Sequence, residues 1–244
     1  MQKASKGPRA GSRPDDQTGP RRTGRAVSRE VLADHVYAEL LASLMDGRLT
    51  PGAVVSIDGT ARELDVSPTP VREALARLEH TGMVRRVALK GYRVAPVFTR
   101  EDFAELMEAR LAIEPVNARL ACERINQRGL AELEQAVEDL KSAPRGPSFA
   151  EFKDYLEADE RFHQLIAQQT GNQFMEAAYS ALGGQVQRFR LFGGVGITDA
   201  EHAIAEHQAV LDAVTTGNPD KAAAAMADHI RRVRSRAIAD APEG

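Results

Sequence analysis

Apolar residues at helical spacing predict three helices in the first third of the chain. Across residues 30–49 they fall three or four positions apart, which predicts a first helix. Asp58 stands where a side chain can cap a short second helix, and Thr69 followed by Pro70 is typical of the N-cap and first turn of a third. Gly82 is a suitable C-terminal residue for that helix. The three predicted helices follow one another closely and indicate one small helical unit.

The spacing of apolar residues changes directly after the third helix. Residues 84–87 and 92–95 look like two short strands around a tight turn that contains Lys90 and Gly91, and Pro96 closes the unit. Three helices followed by such a hairpin are the order of elements in a winged helix-turn-helix domain. We therefore expect this domain over residues 29–97.

From Thr99 onward the pattern is helical again, and no further strand is predicted. Breaker-rich connections such as Gly217-Asn218-Pro219 are short, so sequential helices should pack antiparallel. We expect six helices, over approximately 100–125, 129–143, 148–170, 172–192, 198–216 and 219–239. The predicted fold is mainly α: an N-terminal winged helix-turn-helix domain followed by an all-α helical bundle over residues 98–240.

Composition supports a helix-rich protein and divides the chain into regions of opposite charge. Of 244 residues, 43% are hydrophobic and 5% aromatic, which fits helices better than a β-sandwich. Residues 1–28 hold seven Lys or Arg and two Asp, a net charge of +5, in a composition typical of a disordered tail. Residues 98–244 hold 16 Lys or Arg and 24 Asp or Glu, a net charge of −8. The front of the chain could therefore approach a polyanion that the back would repel.

The sequence also indicates in which cellular compartment the protein is expected. No apolar run is long enough for a membrane span, and the N-terminus has no secretion signal. The single cysteine, Cys122, cannot form an intrachain disulfide, which agrees with a reducing compartment. We expect a cytoplasmic protein with no membrane partner.

The start of the third helix has residues suited to contact DNA. Ser67, Thr69 and Arg72 would project there beside free backbone amides, within reach of phosphates and base edges in a major groove. Arg72 is the best candidate for base recognition because its planar guanidinium can donate two hydrogen bonds to a guanine. Lys90 and Gly91 at the predicted wing tip could contact the DNA backbone or minor groove. From the pattern alone, a small helical lobe with scattered surface charge is the alternative.

Four residues of the predicted bundle have the spacing of a metal site. Asp159 and His163 stand four positions apart, so both leave one face of a helix. His207 and His229 are equally far from the middle of the turn at 217–219, so in an antiparallel hairpin each lies about 16 Å from the turn and they can meet. The set suits Zn²⁺, Ni²⁺ or Mn²⁺ and leaves positions open for a ligand. Taken singly, each histidine fits an ordinary core or surface residue better.

His202 is not expected to join this set. It stands five positions from His207, about 140° around the helix, so the two should not face one ion. Its spacing with Glu206 and His207 also fits no zinc-peptidase motif.

Several stretches of the first domain resemble the winged helix of GntR-family transcription regulators. They are LTPG at 49–52, ARELDVSPTPVREAL at 61–75, LEHTGMV at 78–84 and GYRV at 91–94. The rest, to about residue 238, is similar to the all-helical effector domain of the FadR-type (FCD) branch, and six helices favour its VanR-like subgroup. The chain departs from the family at Asp58 and Pro68, where arginines that contact DNA often stand.

The resemblance implies roles for named residues. Those it supports as DNA contacts are Arg62, Ser67, Thr69 and Arg72. The positions of the metal ligands in metal-binding FCD domains are occupied by Asp159, His163, His207 and His229.

Arg110 stands four positions before Glu114, and the pattern alone predicts an ion pair on a solvated helix face. In the family the corresponding arginine faces the pocket, which implies that Arg110 could bind a carboxylate of the ligand while the metal binds its other end. Arg188 and Arg190 are weaker candidates for the same role.

These observations favour a transcription regulator, acting as a repressor, over an enzyme. A small carboxylate or sugar acid would bind at the metal site and change the affinity for a palindromic operator. One helix contacts only a few base pairs, so a twofold homodimer is expected.

Two other functions stay open from the sequence. One is a metal-dependent hydrolase fused to a DNA-targeting domain; against it, the chain has no G-x-S-x-G or G-x-x-x-x-G-K-[ST] motif and no Glu placed unambiguously beside the histidines as a general base. The other is an architectural DNA binder whose bundle only dimerises, with a purely structural metal. Titrating operator DNA with organic acids separates the regulator from the architectural protein.

Overall fold

The computed structural model describes residues 29–88, 91–146, 149–192 and 199–240. The predicted basic tail, residues 1–28, and Lys90 at the predicted wing tip lie outside this part of the chain. Within it, none of the helices is both long and apolar enough to cross a membrane.

The first domain contains three helices and a small antiparallel sheet. Its elements, in chain order, are α1 (Arg29–Met45), β1 (Val54–Val55), α2 (Ile57–Glu63), α3 (Pro68–His80), β2 (Val84–Val87) and β3 (Gly91–Val94). β3 is the central strand: Val54 of β1 pairs with Arg93, and Val84 of β2 pairs with Val94. The predicted hairpin is present. β1 is an additional strand that the pattern did not indicate, because two residues are too few to show a period.

The apolar face of α3 forms the centre of this domain's core. Leu75 and Leu78 are fully buried, and they pack with Val36 of α1 and Val94 of β3. Val31, the first apolar residue of the pattern that predicts α1, does not belong to the buried face of this helix, because it is 55% exposed. The buried face runs instead through Ala33, Val36, Leu40 and Leu44. One face of α3 is thereby fixed against the core, and the opposite face is left at the surface.

The starts of α2 and α3 differ from the predicted ones. Ser56, not Asp58, is the N-cap of α2: its backbone is extended, and its Oγ accepts a hydrogen bond of 3.1 Å from the backbone N–H three residues on. α3 begins at Pro68, so its N-cap is Ser67 and Thr69 already lies in the first turn. Pro68 can open the helix because the first helical N–H has no partner to lose.

The second domain is a bundle of six helices in the described residues. They are α4 (Arg100–Arg124), α5 (Gln127–Ser142), α6 (Phe149–Gln169), α7 (Gln173–Phe192), α8 (Ala200–Thr215) and α9 (Pro219–Asp240). Each boundary lies within two residues of the predicted one, because the Gly, Pro and Asn residues between the helices end them locally. Thr99 and Asp102 begin α4 with a capping box.

α4 is the central helix of the bundle and packs against α6, α7, α8 and α9. The inner face of α4 contributes Phe103, Met107, Ala118 and Ala121 to the core. α8 and α9 pack together as a helical hairpin, and the turn between them contains Gly217 at a φ of +66°. This hairpin and α6 carry the candidate metal ligands.

The two domains touch through α1 and through the end of α3. Leu41 and Met45 of α1 pack against the apolar cluster that includes Leu156 of α6. At the end of α3, Thr81 lies against the backbone of α7 at Gly184, where an added Cβ would stand 2.7 Å from the Cα of Thr81. The absence of a side chain at Gly184 therefore permits this close approach.

We predict that Gly184→Ala lowers the midpoint of thermal unfolding, although alanine is the better helix former by about 1 kcal/mol. The new Cβ pushes the α7 backbone away from Thr81 and weakens the contact between the domains. Gly183→Ala is the matched control, because its Cβ would meet the flexible end of the Glu160 side chain. A midpoint above that of the wild type for Gly184→Ala would contradict the close approach.

Candidate metal centre and nucleic-acid interface

Three buried histidines from three helices meet inside the bundle. α6 contributes His163, α8 contributes His207 and α9 contributes His229, and one ring nitrogen of each lies within 4.8 Å of the others. The Nε2 atoms of His163 and His207 are 3.2 Å apart, and the rings of His207 and His229 have centroids 4.5 Å apart. The hairpin of α8 and α9 thus brings its two histidines to the same height.

Asp159 lies one turn before His163 on α6 and is also buried. Its Oδ1 is 3.5 Å from Nε2 of His207. The structure therefore brings the three histidines together, and it places the Asp159 carboxylate beside His207, outside the group whose ligand atoms all lie within 4.8 Å of one another.

The tautomer of His207 follows from the contact of Nδ1, the ring nitrogen that points away from the other histidines. Its Nδ1 is 2.6 Å from the carbonyl oxygen of Ala203. A carbonyl oxygen only accepts hydrogen bonds, so Nδ1 carries the proton and Nε2 keeps its lone pair toward the other histidines.

Carboxylates lie beside the Nδ1 atoms of the other two rings. Nδ1 of His163 is 2.6 Å from Oε2 of Glu114, and Nδ1 of His229 is 3.0 Å from Oε2 of Glu206. A ring whose Nδ1 donates to a carboxylate or carbonyl while Nε2 points at a shared centre is the usual arrangement of metal-bound histidine.

The spacing of Glu206 with His202 and His207 fits no zinc-peptidase motif, and no role at the histidines was predicted for Glu206 from the sequence. A signal was available: Glu206 directly precedes His207, so the hairpin symmetry that pairs His207 with His229 also brings Glu206 to the height of His229. The role of Glu206 in the structure is to contact Nδ1 of His229, on the outer side of the ring.

Arg110 and Glu114 form the predicted ion pair, but not on a solvated face. Nε of Arg110 donates to Oε1 of Glu114 at 2.5 Å, Nη2 lies 3.3 Å from Oε2, and both side chains are about 1% exposed. The expectation of an exposed pair is wrong because this face of α4 is turned toward the centre of the bundle. Nη1 of Arg110 is buried without a hydrogen-bond partner in the described part of the structure.

The pair changes the acidity of both groups. Burial alone would raise the pKa of Glu114, but the positive Arg110 and the neighbouring His163 outweigh it and hold that pKa well below its usual range. Burial would lower the pKa of Arg110, but the Glu114 carboxylate outweighs burial and raises it. Both groups are therefore charged at neutral pH.

His229 is held in its neutral form. Burial, with His207 and His163 close by, lowers the pKa of His229 well below its usual range. The neutral imidazole is the form that binds a metal ion. Nε2 of His229 is buried, and no hydrogen-bond partner for it is found among the described residues.

Three other residues of the bundle were considered for the metal site or for effector binding. His202 is exposed on α8, as expected for a residue outside the set. Arg188 and Arg190 belong to α7, but their side chains lie outside what the structure describes.

The candidate DNA-contacting residues of the first domain lie at its surface. Arg62 on α2 and Ser67, Thr69 and Arg72 at the start of α3 are all exposed. The turn between the two helices contains Asp65 at a φ of +51°. Gly91, exposed and at a φ of +79°, begins β3 beside the wing tip. These residues therefore stay available for a partner while the apolar face of α3 is buried.

Comparison with known proteins identifies both domains. Residues 32–94 match the family model described as bacterial regulatory proteins, gntR family, and residues 105–232 match the model of the FCD domain. The class defined by the fold is thus a winged-helix transcription regulator. The chain belongs to the GntR family, with an FCD domain as its second part.

Two transcription regulators of known bacteria align with this chain over most of their length. The HTH-type transcriptional regulator LutR of Bacillus subtilis is 26% identical and aligns with 78% of this chain and 94% of its own. The HTH-type transcriptional repressor RspR of Escherichia coli is 24% identical, over 81% of this chain and 85% of its own. Both relatives are transcription regulators, so the hydrolase alternative finds no support.

A solved structure shows the same fold. E. coli McbR/YncC is 22% identical, with a TM-score of 0.66, and the match covers 87% of this chain and 98% of that one. FCD domains are known to bind metal ions, and the histidine triad of this chain could hold one.

We predict that His207→Ala weakens Zn²⁺ binding by more than the about 10–100-fold typical of residues that only support a ligand. The variant loses one of the three imidazoles that meet inside the bundle. Zn²⁺ affinity measured by competition with a chromophoric chelator checks this, with circular dichroism to verify the fold. His202→Ala is the matched control on the same helix and should bind Zn²⁺ like the wild type. If His202→Ala proved the more damaging, the assignment of the ligands would be wrong.

Proposed function

We propose that this protein is a repressor that binds a palindromic operator as a homodimer and responds to a small carboxylate or sugar acid at a divalent metal ion in the bundle. The observation that carries the proposal is the convergence of three buried histidines, each with Nδ1 held on its outer side, in the domain that follows the winged helix. DNA binding follows from membership of the GntR family. The metal ion, the effector and the homodimer are what the proposal adds.

The DNA-contacting surface in this proposal is the first turn of α3 together with the wing. Arg72 is exposed one turn into the helix and would contact a base edge, where a guanidinium can give two hydrogen bonds. Ser67 and Thr69 would bind phosphates beside it, and Arg62 would contact the DNA from α2. Lys90 and Gly91 would contact the backbone or the minor groove. A complete set of family arginines is not needed for this arrangement, since Pro68 and Asp58 replace two of them.

The donor set in the bundle fits a divalent ion. A buried Nε2 of His229 without a hydrogen-bond partner is unfavourable unless something binds it. Asp159 would add an oxygen to the three imidazoles, and this mixed set suits Zn²⁺, Ni²⁺ or Mn²⁺. When bound, the ion would link α6, α8 and α9 and offer a coordination position to an oxygen ligand.

Arg110 supports an anionic effector. Two nitrogens of its guanidinium are engaged with Glu114, while the buried Nη1 has no acceptor in the described residues. A carboxylate oxygen is a strong acceptor for such a charged donor. Arg188 and Arg190 are kept as weaker effector contacts.

We infer the homodimer from the small size of the DNA-contacting surface of a single copy. A single helix in the major groove contacts too few base pairs for a specific site, and two copies related by a twofold axis match a palindrome.

The six helices of the bundle agree with the VanR-like subgroup of FCD regulators. Repression is favoured by the named repressor among the relatives. The place of action would be the cytoplasm, where a bacterial chromosome is found.

Arg72→Ala tests the DNA-binding part. The variant should lose its preference for the operator over random duplex DNA, because each bidentate contact to a base contributes about 1–3 kcal/mol of discrimination. The fold should be intact, since Arg72 is exposed. Binding to both duplexes is measured at one salt concentration. An unchanged ratio of the two affinities would remove Arg72 from base recognition.

Arg110→Lys tests the effector part. Lysine keeps a positive charge beside Glu114 but lacks the planar fork that can contact two partners at once. We expect organic acids that change the operator affinity of the wild type to act on this variant only at concentrations about tenfold or more higher. The readout is operator binding during titration with a panel of hydroxy acids, dicarboxylates and sugar acids.

Arg119→Lys is the control for that experiment, because Arg119 lies on the same helix but is exposed and pairs with Asp220. It should respond like the wild type. If no acid of the panel changed operator binding by the metal-loaded wild type, the effector step would be wrong and the architectural function would be favoured.

A further inference from the structure

A continuous chain of contacts leads from the end of α9 to one histidine of the triad. The guanidinium of Arg236 donates from Nη1 to Oε1 of Glu206 at 2.7 Å and from Nη2 to Oε2 at 3.0 Å. Oε2 of Glu206 is in turn 3.0 Å from Nδ1 of His229. Arg236 therefore holds both oxygens of the carboxylate that contacts the ring.

The guanidinium also has a partner on its other side. Its Nε donates to Oδ2 of Asp199, at the start of α8, at 2.7 Å. The two parallel hydrogen bonds from the terminal nitrogens are enough by themselves to set the plane of the Glu206 carboxylate, and they do not need the bond to Asp199. Arg232 cannot replace this geometry, because it is 66% exposed and its Nη1 is 4.0 Å from Glu206.

The same order of groups occurs at a second histidine. Arg110 bonds Glu114, and Glu114 contacts Nδ1 of His163. Two of the three rings thus have, beside Nδ1, a carboxylate that an arginine holds. At His229 the arginine comes from the same helix as the ring, two turns further on.

We propose that Arg236 is a positioning residue of the metal centre: it holds Glu206 so that Glu206 keeps His229 turned with Nε2 toward His163 and His207. This inference rests on the proposed metal binding. It assigns a role in metal affinity to a side chain that lies outside the ligand set.

A purely structural role for Arg236 would give a different pattern of effects. In that case its importance would come from joining α8 to α9 through Asp199 as well as through Glu206, and metal affinity would follow the stability of the hairpin. In the positioning role, metal affinity depends on the Arg236–Glu206 contact and is insensitive to Asp199.

The test is Zn²⁺ affinity of the full chain, measured by chelator competition, together with thermal unfolding of the metal-free protein. Arg236→Ala should weaken Zn²⁺ binding by about 10–100-fold, the range typical of groups that orient a ligand. Arg236→Lys keeps the charge but not the paired hydrogen bonds, and its affinity should fall between those of Arg236→Ala and the wild type. Lysine also keeps the experiment decisive if the alanine variant fails to fold.

Two controls separate positioning from structure. Asp199→Ala removes one of the two contacts by which Arg236 joins α9 to the start and middle of α8, and it should lower the unfolding midpoint while Zn²⁺ affinity stays close to that of the wild type. Arg231→Ala removes an exposed arginine of the same helix that pairs with Asp228, and it should change neither measurement.

Glu206→Gln completes a double-mutant cycle. If Arg236 acts through Glu206, adding Arg236→Ala to Glu206→Gln should weaken Zn²⁺ binding far less than the product of the two single effects. The absorption spectrum of the Co²⁺-loaded protein should change in Arg236→Ala, because the orientation of one ligand changes.

Three outcomes would overturn the proposal. They are wild-type Zn²⁺ affinity in both Arg236 variants, a loss in Asp199→Ala as large as that in Arg236→Ala, and effects of Arg236→Ala and Glu206→Gln that simply multiply. A wild-type protein that binds neither Zn²⁺ nor Co²⁺ would overturn the metal centre itself, and that result is distinct from the other three.

Discussion

The bundle depends on how three imidazoles can be buried together with their Nε2 atoms facing one another. Polar rings in an apolar interior are unfavourable unless their nitrogens have partners. Each outer nitrogen lies within 3.0 Å of an oxygen of Ala203, Glu114 or Glu206. The inner nitrogens face a single centre, and these three histidines could hold a metal ion there.

The two carboxylates that make this possible would be unfavourable by themselves. Glu114 and Glu206 are both buried, and an unpaired buried charge is strongly destabilising. Arg110 and Arg236 neutralise them and set the direction of their oxygens. The charges of the groups around the histidines are therefore paired.

The position of the site within the chain is relevant to regulation. α6 carries His163 and also packs on α1 of the winged-helix domain, and α7 carries Tyr179, stacked on His163, and Gly184, which touches the end of α3. Under the proposed function, a change in the packing of these helices around the histidines would reach the first domain through α1 and through Thr81 at the end of α3.

Local features of the sequence were enough for the order of the helices and of the hairpin strands β2 and β3, the six bundle helices and the pairing of His207 with His229, because helix ends depend on nearby Gly, Pro and Asn residues and a hairpin has a fixed rise per residue. The caps at Ser56 and Ser67 were missed, since they depend on backbone conformation. Only the tertiary structure decided that Arg110 and Glu114 are buried and that Glu206 joins Arg236 to His229. Such contacts depend on how each helix is rotated against its neighbours, and neither spacing along the chain nor residue type determines that rotation.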